Sequence, residues 1–132
     1  MVVTFPGPIT LVGTPSVSSG TGSVSTALTS GNQVFINLTG VTNAQRIAIS
    51  LTVNDGVNTG AVVVPMGLLL GDVDATGRVD GTDVSLTRQQ NFQPLTQTPP
   101  TFREDINVSG RVDGTDVSLA RQQNFTVLPS PP

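Results

Sequence analysis

Oxygen-bearing side chains recur at a fixed spacing in two twelve-residue loops, Asp72–Asp83 and Asp105–Asp116. Each loop has them at positions 1, 3, 5, 9 and 12, with glycine at position 6. A calcium ion takes roughly six to eight hard oxygen ligands, and this spacing wraps a short loop around one ion. Glycine at position 6 permits the sharp turn that a side chain would block. The pattern therefore predicts one calcium ion per loop, two per chain.

The two predicted ligand sets follow from these positions, with the backbone carbonyl of position 7 added to each. For the first loop they are Asp72, Asp74, Thr76, Arg78 (carbonyl), Asp80 and Asp83. For the second they are Asp105, Asn107, Ser109, Arg111 (carbonyl), Asp113 and Asp116. Position 9 acts directly or through water, and the aspartate at position 12 is expected to be bidentate. Val79 and Val112, at position 8, are predicted to pair the two loops and to bury their side chains.

Both loops belong to a repeated segment of 21 residues, which begins at Asp72 and again at Asp105, with sixteen identical positions. Aspartate, glycine and threonine also mark ordinary surface turns, and that interpretation would serve for a single loop. Two copies in the same register favour a doubled unit with its own chemistry. Of the nine acidic residues, seven occupy these loop positions, so the acidity indicates two sites and not a solvating surface.

The repeat resembles a type I dockerin module, in which a helix follows each calcium loop and none precedes it. Both copies match the family loop at positions 1, 3, 6 and 12. They depart from it at position 5, where Thr76 and Ser109 replace an aspartate or asparagine. The resemblance covers less than half of the chain and implies two structural calcium ions and three short helices. Between the repeats, Pro94 to Pro100 predicts a loop.

Residues 1–70 are predicted to be β structure throughout. Side chains alternate most clearly at Val34, Ile36 and Leu38, and again from Ile47 to Val53. Six short strands separated by turn signals suggest an immunoglobulin-like β-sandwich. The strand candidates are Val2–Phe5, Ile9–Val12, Val17–Ala27, Gln33–Val41, Arg46–Val53 and Ala61–Leu70. The predicted fold class is mainly β with a small α part: a sandwich in residues 1–70, then a dockerin-like module in residues 71–132.

The predicted sandwich is short, because such domains use about seven strands in roughly 100 residues. Either its first strands are missing from this chain, or a strand of a neighbouring chain completes it. Leu68-Leu69-Leu70-Gly71 runs straight into Asp72, without the Pro/Thr-rich linker on which mobile dockerins usually hang. The arrangement is similar to sandwich-plus-dockerin pairs at the ends of exported bacterial surface proteins.

Several function classes lack the residues they require. Histidine, cysteine and lysine are absent, and Asp55 and Glu104 are the only acids outside the loops, so we expect no enzymatic activity. The six arginines are scattered, which disfavours binding to nucleic acid. The apolar run Ala61–Leu70 is too short to span a bilayer and contains Pro65, so no membrane insertion is expected.

Three functions remain, all outside the cell or on its surface, where millimolar calcium suits such loops. The first is a structural subunit of a fibre, a head-to-tail homopolymer in which Val2–Phe5 of one copy adds a strand to the next. The second, implied by the resemblance to dockerins, is an adaptor that binds a cohesin-like protein through Gly81-Thr82, Gly114-Thr115 and the arginine and glutamine of each following helix. The third is a spacer at the end of a larger exported enzyme. We favour the first, because the sandwich is short and no linker precedes the loops.

Overall fold

The computed structural model describes residues 1–96 and 101–131. The chain divides into two compact units, Met1–Gly67 and Leu68–Pro132. The first unit consists of β-strands, whereas the second contains the repeated loops and two helices. Within the described residues, no helix is long and apolar enough to cross a membrane.

In the part of the chain that the structure describes, seven strands form two sheets with antiparallel pairing. The first sheet has the order β1-β5-β4; in the second, β6 pairs with β2, β3 and β7. The strands are β1 (Val2–Thr4), β2 (Thr10–Leu11), β3 (Ser16–Ser19), β4 (Ser23–Ser30), β5 (Gln33–Thr39), β6 (Gln45–Asn54) and β7 (Thr59–Leu68). The prediction of a mainly β chain with a small helical part is confirmed.

The predicted count of six strands is wrong, because the single strand expected at Val17–Ala27 is two strands, β3 and β4. A turn at Gly20-Thr21-Gly22 separates them. Gly20 has a φ of +88°, and a Cβ there would lie 2.7 Å from the carbonyl oxygen of Arg46. Only glycine fits this turn without displacing β6. The count of six strands was the reason to expect an incomplete sandwich, and the seven observed strands remove that reason.

The expected donor strand is paired within its own chain. Val2 faces Phe35 and Val3 faces Val34 in the β1–β5 ladder. The N-terminal ammonium of Met1 donates to the carbonyl of Ile36 at 2.8 Å. Donation of this strand to a neighbour would therefore require its exchange between copies.

The core of the first unit comes from the alternating positions of β5 and β6. Val34 and Ile36 on β5 are fully buried, as is Ile49 on β6. The other inward positions of β6, from Ile47 to Val53, are at most 9% exposed. Burial of each such side chain stabilises the fold by roughly 1.5–3 kcal/mol. The alternation predicted for these two strands is confirmed at every position named except Leu38, which is only half-buried.

In the second unit, one helix follows each loop: α1 (Gly81–Gln89) and α2 (Gly114–Gln122). The described residues contain these two helices, where the resemblance implied three. Residues 94–96 have no regular structure, in agreement with the predicted loop, and residues 97–100 of that prediction lie outside the described residues.

Candidate metal centre

The aspartate at position 9 of each loop begins the following helix. Asp80 is the N-cap of α1, and its carboxylate accepts a 2.7 Å hydrogen bond from the amide of Thr82. Its other oxygen pairs with the guanidinium of Arg78 at 2.7 Å. The hydrogen bond from Thr82, together with Arg78, holds the pKa of Asp80 below its usual range. Position 9 therefore serves as a helix cap in this structure.

The carboxylates at positions 1, 3 and 12 of the first loop converge. One oxygen from each of Asp72, Asp74 and Asp83 lies within 4.8 Å of the other two. Asp83 is fully buried, and Asp72 is half-buried. The structure thus brings together three of the five side chains predicted to bind the first ion, and Asp80 is not among the three.

Backbone amides of the loop hold these carboxylates in place. The two oxygens of Asp72 accept hydrogen bonds of 2.9 Å from the amides of Thr76 and Gly77. One oxygen of Asp83 accepts from Val73 at 2.9 Å, and the other completes a capping box by accepting from Asp80 at 2.8 Å. The oxygen of Asp83 that accepts from Val73 also accepts from the amide of Asp74, at 3.4 Å. These bonds orient the carboxylates, and the lone pairs that remain on their other oxygens can still bind an ion.

Positions 5 and 7 lie next to each other in the same loop. The hydroxyl of Thr76 donates to the carbonyl of Arg78 at 3.3 Å. Both oxygens were predicted ligands, and their proximity is the arrangement that a single ion would need. Gly77, between them, has a φ of +85°, which confirms the sharp turn predicted at position 6.

The second loop repeats this network with an amide in place of one carboxylate. Ser109 donates its backbone amide to Asp105 at 2.9 Å and to the side-chain oxygen of Asn107 at 3.0 Å. Its hydroxyl donates to the carbonyl of Arg111 at 3.2 Å. Asp116 is fully buried, as Asp83 is, and accepts from the amide of Asn107. The guanidinium of Arg111 also pairs with Asp113, the N-cap of α2.

Charge in the first loop favours a cation. Burial and the neighbouring carboxylates of Asp74 and Asp83 raise the pKa of Asp72 above its usual value. The loop arginine, Arg78, pairs with Asp80, outside the converging group. A buried carboxylate is costly unless it is paired or bound to a metal. All the converging donors are oxygens, which suits a hard cation such as calcium and disfavours zinc or copper. The residues therefore fit the predicted ion.

Position 4 of each loop has an unusual backbone that sequence reasoning missed. Ala75 has a φ of 60° and Val108 a φ of 57°, in the left-handed region. A β-branched residue is a marked outlier there. Such strain persists only where the surroundings impose it, and it clusters at ligand sites. The β-branched Val108 gave no signal of this conformation, since glycine or asparagine is the usual residue.

The predicted pairing of Val79 with Val112 is wrong, although both side chains are buried at 1% exposure, as expected. Val79 instead exchanges backbone hydrogen bonds with the segment after α2, donating to Thr126 at 2.9 Å and accepting from Phe125 at 2.8 Å. Val112 accepts from Phe92, after α1, at 2.9 Å. Position 8 of each loop is thus bound by the end of the other repeat.

The segment after α2 continues along the first loop. The amide of Leu128 donates to the carbonyl of Gly77 at 2.9 Å, and Arg78 forms an antiparallel bridge with Val127. The tail from Leu128 onward is rich in proline, and its last residue lies outside the described residues. The tail therefore holds the first loop, a role that its composition did not indicate.

Comparison with known proteins adds no relative to this geometry. No family model matches the chain, and neither a curated protein nor a solved structure matches it. The function must therefore be inferred from the loops and from the surfaces of the two units.

Proposed function

We propose that this chain is a non-catalytic, calcium-binding structural protein that works outside the cell and assembles with other copies of itself. One observation carries the calcium assignment: three carboxylate oxygens of the first loop, from Asp72, Asp74 and Asp83, lie within 4.8 Å of one another. The second loop supports a second ion, because it repeats the same hydrogen bonds with Asn107 in place of Asp74. Millimolar extracellular calcium would keep such sites filled.

The proposed architecture is an immunoglobulin-like sandwich followed by a dockerin-like module. The two antiparallel sheets of the first unit and the loop–helix repeats of the second are consistent with it. In the second unit, the ions would hold loops in which few large apolar side chains are buried. Among the described residues of that unit, the buried apolar side chains larger than alanine are those of Val73, Val79, Val112 and Val117. Metal ions commonly support cores this small.

An adaptor function is the second candidate, and a doubled surface favours it. Thr82, Arg88 and Gln89 of the first repeat are exposed, as are their equivalents Thr115, Arg121 and Gln122. A cohesin-like protein could bind either repeat. The third candidate, a spacer in a larger exported enzyme, has no structural observation in its favour.

Calorimetry and sedimentation test the proposal together. We expect calorimetric titration with calcium to show two sites per chain. Chelation should abolish the helical circular dichroism, since binding to the folded state alone stabilises it, by about 2.7 kcal/mol at a calcium concentration of 100 times Kd. Sedimentation velocity in calcium should show concentration-dependent assembly. A chain that binds no calcium, or that remains monomeric at high concentration with both sites filled, contradicts the proposal.

A further inference from the structure

Two phenylalanine side chains at equivalent positions of the repeats lie almost wholly in solvent. Phe92 is 82% exposed and Phe125 is 86% exposed. Both have a left-handed backbone, with φ values of 63° and 71°. Glycine or asparagine would adopt that conformation more easily. Neither the backbone nor the core therefore requires a ring at these positions, which we call the aromatic knobs.

The loops fix the backbone of each aromatic knob. The amide of Phe92 is bound to the carbonyl of Val112, and that of Phe125 to the carbonyl of Val79. Four residues before each knob, an exposed arginine lies in the last turn of the preceding helix: Arg88 in α1 and Arg121 in α2. Each knob is thus an apolar ring accompanied by a positive charge.

The first unit has a groove of about 500 Å³ that suits such a ring. The β1–β2 connection and the β6–β7 hairpin line it, and its lining is mostly apolar. The principal apolar residues are Phe5, Pro6, Pro8, Ile9, Val53 and Val62. Val57, on the same lining, is 86% exposed. Pockets of this size hold ligands larger than one aromatic side chain, so the groove has room for a ring and its neighbours.

The groove carries a charge opposite to that of the knobs. Asp55 lines it and is the only acidic residue before the first loop. Hydrogen bonds from the amides of Asn58 and Val57 lower the pKa of Asp55, so the carboxylate is ionised at neutral pH. The knobs and their positive charges belong to the second unit, whereas the apolar groove and the negative charge of Asp55 belong to the first.

We propose that an aromatic knob of one copy, Phe92 or Phe125, docks in the Asp55 groove of a second copy, with the adjacent arginine facing Asp55. This contact rests on the proposed function, and it identifies the surfaces through which the copies assemble. A buried phenylalanine contributes roughly 150–250 Å² of contact, enough for the centre of an interface.

Knob and groove are different surfaces, so the contact is head-to-tail. Unless its rotation closes a ring, such a contact produces a filament. Each copy has two aromatic knobs and one groove, so either repeat can supply the contact. Because the loops fix both knobs, calcium should be required for assembly.

The knob side is tested by replacing phenylalanine with asparagine, which tolerates the left-handed backbone and so preserves the fold. Phe92→Asn or Phe125→Asn alone should weaken assembly about twofold, since one of two equivalent contacts is lost. The double variant should weaken it at least tenfold, as expected for a central aromatic residue. Phe102→Asn is the matched control, because Phe102 is 58% exposed and lies outside the repeated segment. It should assemble as the unaltered chain does.

The groove side is tested at Val57, whose exposed side chain can be changed without opening the core. Val57→Arg and Val57→Glu both remove the apolar contact. Val57→Arg also repels Arg88 or Arg121, whereas Val57→Glu attracts them. We therefore expect Val57→Arg to weaken assembly more than Val57→Glu, and the difference to shrink at high salt.

A mixing experiment separates this contact from other modes of assembly. The double knob variant has an intact groove, and Val57→Arg has intact knobs, so each alone should be monomeric in calcium. Mixed together, they should form complexes of one Val57→Arg chain with one or two double knob chains, and nothing longer. If the double knob variant assembles as the unaltered chain does, or if the mixture remains monomeric, this contact is wrong. The assembly function would survive that result, and it falls only if the unaltered chain itself remains monomeric.

Discussion

The backbone amide of Phe125 donates a 2.8 Å hydrogen bond to the carbonyl of Val79. The equivalent bond, from Phe92 to Val112, measures 2.9 Å. Each loop is therefore completed by the residue that ends the other repeat. The ordered conformation of both loops therefore depends on the same small set of backbone hydrogen bonds.

This reciprocity predicts that the two proposed calcium sites are coupled. Asp83→Ala removes the buried carboxylate at position 12, and we expect it to abolish the first site. Because Val79 would then hold Phe125 less well, the second site should also bind more weakly than in the unaltered chain. Calorimetric titration measures both effects. Two unaltered sites in Asp83→Ala would refute the ligand assignment, and one lost site beside an unaltered one would refute the coupling.

The role of position 9 can be separated from that of position 12. Asp80 caps α1, and asparagine caps helices about as well as aspartate does. Asp80→Asn should therefore retain both calcium sites and nearly all of the stability. Asp80→Ala should retain both sites and lose about 1 kcal/mol of unfolding free energy through the missing cap. Denaturation in saturating calcium, together with calorimetry, checks the pair. Loss of a site in Asp80→Asn would mean that position 9 is a direct ligand.

As the pH is lowered, calcium affinity should begin to fall at a higher pH than it would if all the ligand aspartates had an ordinary pKa. Burial raises the pKa of Asp72 above 3.8, so the metal-free folded loop binds a proton more tightly than the unfolded chain does. Protons should therefore compete with calcium as the pH falls through that raised pKa, while the pH is still above 3.8.

The lowered pKa of Asp80 means that protonation of this residue affects stability in a lower pH range than protonation of Asp72 affects calcium binding. The stability that its cap supplies is present above pH 3.8, and it is lost only as the pH falls through the lower pKa of the folded state. Calorimetry from about pH 7 to about pH 4 should show falling affinity in the unaltered chain and the same profile in Asp80→Asn. An affinity that stays constant over this pH range contradicts the assignment of Asp72, whose pKa is raised, as a ligand.

The strain at position 4 of the second loop predicts a stabilising substitution. Val108 is 86% exposed and left-handed, so Val108→Asn loses little packing and relieves roughly 1 kcal/mol of backbone strain. The matched control is Val127→Asn, at a residue that is 59% exposed and bridged to Arg78. There, asparagine should be neutral or slightly destabilising, because it is disfavoured in extended pairing. Thermal melts in calcium should give opposite signs, and equal shifts would exclude backbone strain as the cause.

The turn between β3 and β4 predicts a strongly destabilising substitution. Gly20→Ala would place a Cβ 2.7 Å from the carbonyl oxygen of Arg46, on a backbone with a φ of +88°. We expect a loss of at least about 2 kcal/mol from the first unit. Gly31→Ala is the control, because Gly31 also has a positive φ but open space around it, and should cost only about 1 kcal/mol. Urea unfolding compares the two, and equal losses would show that the close approach to β6 is unimportant.

The sequence by itself determined features whose causes are local. The oxygen ligands of each predicted site fall within twelve residues, so the spacing of Asp72, Asp74 and Asp83 was enough to anticipate that their carboxylates converge. Alternation along β5 and β6 identified the core of the first unit, since successive side chains of a strand point to opposite faces. The sharp turn at Gly77 likewise followed from one residue type at one position.

Only the tertiary structure decided the features that depend on residues distant in sequence. The strand break at Gly20 is imposed by the close approach of Arg46 on β6. The partner of Val79 is Phe125, 46 residues away, and not the other loop. β1 pairs with β5 of its own chain, and this pairing supplies hydrogen-bond partners for its backbone groups. Backbone hydrogen bonds carry no side-chain signature, so no pattern of residue types could have revealed these pairings.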